Sequence, residues 1–284
     1  MKNIIRLKSF SYIASFALTL LMFSCESELD NMGYSSTDYS TDNEHIKSIS
    51  SNGAIVHSYL YDQSGKIVEE NCLYYFQKYI YDKNNRLVKV ESAFDRSLLS
   101  SSATFTDLRK EFMTSKNSVA DSYSLYHYDN VGRLSKTEHY FNETGSGFEY
   151  RSMTTFEYKG GYIVKENLHD SKGQISQYHV YTYDKNGNVS SNKYYSNLFG
   201  SKDELLSETY FKYDKYKNPY LIFNKSGSPG LNTNVNNIIE TKTIRYDNTP
   251  GIDKQSSSKT KYEYNKNGYP IKEITEDSVF EYNY

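Results

Sequence analysis

The chain has 284 residues, with 33 Lys and Arg against 35 Asp and Glu, two cysteines, no Trp and 31 Tyr. Near-neutral charge disfavours a nucleic-acid binder, which needs a basic footprint, and two cysteines exclude a disulfide-stapled scaffold. Abundant Tyr with 14 Phe and only four Pro favours strands, because aromatic rings suit a pleated, half-buried surface.

At the amino end, Lys2, Arg6 and Lys8 precede an apolar run from Phe10 to Phe23, the pattern of a signal peptide. A bilayer span needs about 20 apolar residues, so this run is too short for a permanent one. Its end, Leu21-Met22-Phe23-Ser24-Cys25, resembles the lipobox of bacterial lipoproteins. The resemblance implies cleavage before Cys25, lipidation of its thiol and attachment to a membrane through that lipid. Two or more acyl chains suffice for stable anchoring. Residues 25–44 carry Glu26, Glu28, Asp30, Asp38, Asp42 and Glu44 and no base, the composition of a solvated tether. Acids behind the acylated cysteine also resemble the surface-export signal of Bacteroidota lipoproteins, which implies the outer face of the outer membrane; a periplasm-facing position is the alternative. Without residues 1–24 the formal charge is −5. Cys72, in Cys72-Leu73-Tyr74-Tyr75-Phe76, is expected to be buried rather than reactive.

Residues 45–284 repeat one motif: aromatic or apolar, any residue, Tyr, Asp or Asn, a short turn, then an apolar strand. Its clearest copies begin at Tyr59, Tyr79, Tyr126, Tyr181 and Tyr262, with weaker ones at Phe156, Phe211 and Ile244 and a truncated one at Phe280. Two aromatics one residue apart share a strand face. The acid caps its own turn, and three positions later Gly or Asn supplies the left-handed conformation that closes a bulged hairpin. Each copy predicts one hairpin, and the array predicts a meander. Insertions fall at Ser92–Ser122, Ser196–Leu205 and Asn224–Asn237. In the first, Phe105, Leu108 and Phe112 share helical spacing, which predicts at most one short helix. The third, with Gly227, Pro229 and Gly230, reads as an exposed loop.

The repeated pattern, as in Tyr126-His127-Tyr128-Asp129-Asn130-Val131-Gly132-Arg133-Leu134, resembles the YD repeats of the RHS family and YD-like lipoproteins of Bacteroidota. The resemblance implies an all-β fold: a long antiparallel sheet that curls, spirals or closes into a barrel. Large members enclose a toxin, and others have been linked to carbohydrate or surface binding. This chain is far shorter than such shells.

No HExxH, GxSxG, glycine-rich phosphate loop or CxxC occurs, and the six histidines are scattered. No catalytic residue, cofactor or metal is therefore assigned. Asp62, Asp82, Asp129, Asp184 and Asp214 are read as turn caps rather than calcium ligands, because one carboxylate per hairpin makes no cage. Glu138 and Glu166 are not read as an acid/base pair, and His127 should face away from its flanking tyrosines. Motif tyrosines such as Tyr81, Tyr128 and Tyr183 are read as structural. Tyr74, Tyr75, Tyr194, Tyr195, Tyr216 and Tyr220, outside the motif, are the candidate contact surface, since Tyr is enriched at interfaces. The expected function is a non-enzymatic, membrane-anchored binding module for glycan or for an envelope or host protein. The alternative is an assembly component related to RHS-type systems.

Overall fold

The computed structural model describes residues 25–26, 44–95, 111–143, 145–197, 203–223, 225–246 and 254–284. The signal peptide, nearly all of the tether, and Phe105 and Leu108 of the expected helix lie outside the described residues. Of Cys25 only the backbone is described: Cys25–Glu26 pairs antiparallel with Lys225–Ser226.

The rest is an antiparallel meander, as the repeat predicts. It runs through β1 (Ser48–Ser51), β2 (Ala54–Tyr61), β3 (Ile67–Cys72), β4 (Tyr75–Tyr81), β5 (Leu87–Phe94) and β6 (Ser122–Tyr128). It continues as β7 (Leu134–Phe141), β8 (Glu149–Lys159), β9 (Tyr162–His169), β10 (Ile175–Tyr183), β11 (Val189–Ser196) and β12 (Glu204–Lys217). The last strands are β13 (Asn236–Arg245), β14 (Gln255–Lys259), β15 (Lys261–Tyr264), β16 (Pro270–Ile274) and β17 (Val279–Asn283). β17 pairs with β1, and the sheet closes into a barrel. Because β14 and β15 are two halves of one pass, broken at Thr260, the wall has sixteen passes. An even number is what antiparallel closure of a meander requires.

The turn chemistry is the one read from the motif. Oδ1 of Asp62 accepts the amides of Ser64 and Lys66, and Asp82, Asp129 and Asp184 do the same two and four residues on. Asn265 repeats the pattern, as does Asp170, at a turn outside the motif. Three residues after the cap, Gly65, Asn85, Gly132, Gly187 and Gly268 have φ between 66° and 90°, and the register shifts by one residue at each closing pair. One copy lacks a residue that readily takes a left-handed φ there. After Asp214 it is Lys217, and β12 simply runs on to that residue.

The motif tyrosines join neighbouring hairpins at the end where no turn connects them. The hydroxyls of Tyr81, Tyr128, Tyr158, Tyr183 and Tyr213 donate to the carbonyls of Ile67, Leu87, Leu134, Ile163 and Val189 at 2.7–2.8 Å. Each acceptor is the first residue of the preceding returning strand, or in the case of Ile163 the second, and is itself buried. Tyr61 donates in the same way to Ile46, and Tyr284 to Pro270. The base that follows the turn then covers the next ring: Lys66 over Tyr81, Arg86 over Tyr128 and Arg133 over Tyr158, at 5.6, 5.2 and 5.1 Å.

The third insertion is not an exposed loop. The chain leaves β12, makes a short 3₁₀ turn at Pro219–Phe223 and crosses the lumen. Phe223 stacks on Tyr59 of β2, while the Ser228 hydroxyl donates to Glu166 of β9, nearly opposite in the wall. Asn234 and Asn237 are buried at 1% and 4% exposure. The reason is volume: a wall of this strand number encloses more space than its own side chains fill. The amides that made the segment look solvated find protein partners, Asn234 on the Val189 amide and Asn237 on the Asp214 carboxylate and the Lys217 carbonyl. Cys72 is buried, as expected, and desolvation pushes its thiol well up from the ordinary range.

Tyr128→Phe should lower stability by about 1 kcal/mol, the net worth of one such hydrogen bond. Tyr123→Phe, whose ring has no such bond among the described residues, should leave the denaturation midpoint unchanged. Hydrogen bonds lower the pKa of two turn acids: Asp62 through the Ser64 hydroxyl and the Lys66 amide, and Asp82 through the Arg86 amide and side chain. A depressed folded pKa means the unfolded chain takes up the proton first, so this stabilisation exists above the ordinary carboxylate range and is lost as pH falls through the folded values. The Asp62→Asn, Asp82→Asn double variant, which keeps the acceptor as Asn265 does, should show a flatter decline of melting temperature below about pH 4.

Candidate functional site

The two faces of the wall carry different chemistry. Inside, carboxylates meet phenols: Glu70 accepts from the Tyr75 hydroxyl beside His57, Glu166 from Tyr181 and Ser228, and Glu273 from Tyr282. Burial raises the pKa of Glu273. His139 lies between Ser124 and Thr154, and burial lowers it to about 4. These groups are engaged with one another, which is how buried polar side chains hold facing walls together.

Outside, Lys–Glu pairs recur around the barrel, at Lys89–Glu91, Lys136–Glu138, Lys165–Glu157, Lys193–Glu208, Lys212–Glu240 and Lys272–Glu281. A lipid-facing barrel needs an apolar outer band about 25 Å tall; this outer face is built for water. Among the described residues no helix is long and apolar enough to cross a membrane. Glu138 lies outside, where His127 reaches it at 3.0 Å, and Glu166 inside, so the two acids are on opposite faces. His127 does point away from Tyr126 and Tyr128.

Across the outer face of β9 to β13 runs one aromatic strip. Tyr178 and Tyr195, cross-strand neighbours on β10 and β11, stack at 4.6 Å with Lys165 4.5 Å over the Tyr178 ring. Beside them the hydroxyls of Tyr210 and Tyr246 converge on one oxygen of Glu208, at 2.6 and 3.3 Å, while Lys193 holds the other at 2.6 Å. Tyr210 and Tyr246 are 41% and 47% exposed. Bonds to Lys193 and Tyr210 lower the pKa of Glu208, and the hydrogen bond to Glu208 in turn raises that of Tyr210. The carboxylate and the ammonium therefore neutralise each other between two open rings. Such rings can stack on a flat, weakly polar ligand face, while the Glu208–Lys193 pair offers both an acceptor and a donor.

The six tyrosines singled out from sequence do not gather on one surface. Tyr75 is buried inside against Glu70, and Tyr74 packs on Tyr75, His57 and Phe94 near it. Tyr194 stacks on His179 inside at 4.9 Å. Tyr220 lies in the lumen, where its hydroxyl reaches that of Tyr282. Tyr216 is exposed but stacks on Tyr264 at 3.9 Å, at the turn end of the barrel. Only Tyr195 joins the strip. Tyr210 was overlooked because nothing in its local pattern sets it apart. Tyr246 carried a signal: three residues after Asp247 stands Pro250, which cannot take the left-handed φ found at that position in the clear copies.

The sequence matches no protein-family profile, and comparison with curated proteins returns none that matches. Among solved structures the chain is similar to a porin-like protein from Bacteroides vulgatus (10% identity, 84% of this chain and 98% of that one, TM-score 0.46). Another is a porin-like protein from Bacteroides uniformis (10%, 84% and 97%, TM-score 0.38). A third is TcdB2-TccC3 without its hypervariable C-terminal region (10%, 80% and 13%, TM-score 0.26). At such values nothing of these proteins' roles is carried to this chain.

His139 supplies a pH test of the inner wall. With its folded pKa lowered to about 4, the unfolded chain binds the proton first, so stability is full above about pH 6.5 and falls as pH drops from there toward 4. His139→Gln should remove that slope from thermal melts recorded across the window.

Proposed function

We propose that this chain is a bacterial envelope lipoprotein whose barrel is a non-enzymatic binding module for neutral glycans. The reading rests on the strip formed by Tyr178, Tyr195, Tyr210 and Tyr246 around the Lys193–Glu208 pair. Two open rings suit the apolar face of a pyranose, and polar rims with aromatic anchors are how binding sites combine area with orientation. Because Lys193 cancels Glu208, the patch favours an uncharged ligand over an acidic one. The inner carboxylates are already held by hydroxyls, which favours a binding role over catalysis.

Anchoring belongs to the lipid on Cys25 rather than to the barrel, whose charged outer face suits water. The acidic tether that follows Cys25 supports display at the outer surface of the outer membrane.

Titration of the full chain with neutral oligosaccharides, followed by calorimetry, tests the binding claim. Tyr246→Ala and Tyr210→Ala should each weaken binding by about tenfold, the loss of one stacking contact of 1–2 kcal/mol. Absence of binding by any neutral glycan at millimolar concentration would sink the reading. Protease shaving of intact cells tests the surface location separately.

A further inference from the structure

The sixteen-pass wall is continuous except at one seam. β14 pairs with β13 from Glu240–Lys259 to Ile244–Gln255, whereas β15 pairs with β16 from Lys261–Ile274 to Tyr264–Pro270. The strand changes partner at Thr260, whose amide still donates to Ile239. The neighbouring hairpin, β16–β17, turns back at Thr275–Ser278, where the Thr275 amide donates to the Ser278 carbonyl. β14 therefore extends past it with one side unpaired among the described residues.

The register says which groups that side presents. Arg245 donates to the Lys254 carbonyl and Thr260 to that of Ile239, so the even-numbered residues 254 to 260 spend their backbone groups on β13. In an antiparallel ladder the alternate residues point the other way. The amides and carbonyls of Gln255, Ser257 and Lys259 accordingly face outward. All five side chains of Gln255–Lys259 are exposed. At the other end of the seam the gap is filled by side chains: Tyr216 stacks on Tyr264, the Tyr264 hydroxyl bonds Asp214, and Asp214 bonds Asn237. Among the described residues only the β14 half stands open.

An open edge is a template for a further strand, and its charge selects the occupant. Lys254, Lys259 and Lys261 bracket the edge, with Lys242 beside it on β13. The nearby acid on β13, Glu240, is already held by Lys212 at 2.9 Å. Pairing with a second copy of β14 would bring Lys254 and Lys259 of both copies onto one short ladder with no acid among residues 254–261, and like charges brought that close repel. Glu276 and Asp277, in the turn at the lower end of the edge, further favour a register that places a partner's acids toward Lys254. We propose that β14 is a strand-addition site for an extended, acidic segment of a partner protein, distinct from the aromatic strip and independent of glycan binding.

The probe is a fluorescently labelled peptide of about seven residues alternating Val or Thr with Glu, long enough to cover the edge; its Lys-for-Glu counterpart is the control. Anisotropy with the full chain should show the acidic peptide binding and the basic one not, with affinity falling as salt is raised. Ser257→Pro removes an outward amide that β13 does not use and should weaken binding about tenfold or more. The Lys254→Glu, Lys259→Glu variant should reverse the preference between the two peptides, and it decides the matter if Ser257→Pro fails to fold by circular dichroism. No binding of the acidic peptide at millimolar concentration, equal binding of both peptides, or unchanged binding by a folded Ser257→Pro chain would overturn the proposal. So would a dimer in sedimentation that Ser257→Pro dissolves, since the occupant would then be a second copy.

Discussion

The bond from a tyrosine hydroxyl to the carbonyl of the previous hairpin organises this barrel. A β-turn ties two strands together at one end only; at the other end adjacent hairpins are free to splay. The hydroxyls of Tyr81, Tyr128, Tyr158, Tyr183 and Tyr213 close that end, each on the first or second residue of a returning strand. The ring that carries the hydroxyl must lie against the inner wall to reach, so one contact fixes hydrogen bonding, burial and register together. A one-residue slip would send the ring to the other face of the sheet.

That constraint also divides the two faces. With tyrosines and the leading aliphatics Ile67, Leu87, Leu134, Ile163 and Val189 turned inward, the alternate positions face out and hold the Lys–Glu pairs. Exposed pairs of this kind contribute little to stability; their consequence is a water-facing outer surface. The inside remains too wide to be filled from the wall, and the segment after β12 enters to fill it. Its serine and asparagines complete hydrogen bonds that the inner carboxylate Glu166 and the Val189 amide would otherwise seek from water.

The irregular places are where binding is proposed. The aromatic strip includes Tyr246, whose motif copy has Pro250 at the closing position, and the open edge lies on the strand that changes partner at Thr260. A lapse in the turn does not by itself free a ring, since Tyr213 keeps its bond to the Val189 carbonyl although Lys217 stands at its closing position.

The sequence by itself determined the hairpin. Asp or Asn with Gly or Asn three residues later specifies a capped turn and a bulge through local geometry alone, so Asp62, Asp82, Asp129 and Asp184 were legible as caps, and the all-β meander followed from their repetition. What tertiary structure decided is everything that depends on which separated segments meet. The pairing of β17 with β1 closes the wall, the crossing segment reaches from Tyr59 to Glu166, and Lys193, Glu208, Tyr210 and Tyr246 gather from three strands. The polar composition of residues 224–237 pointed to solvent because side-chain polarity records only that a group needs hydrogen-bond partners. Whether water or protein supplies them is settled by the volume the closed wall must fill.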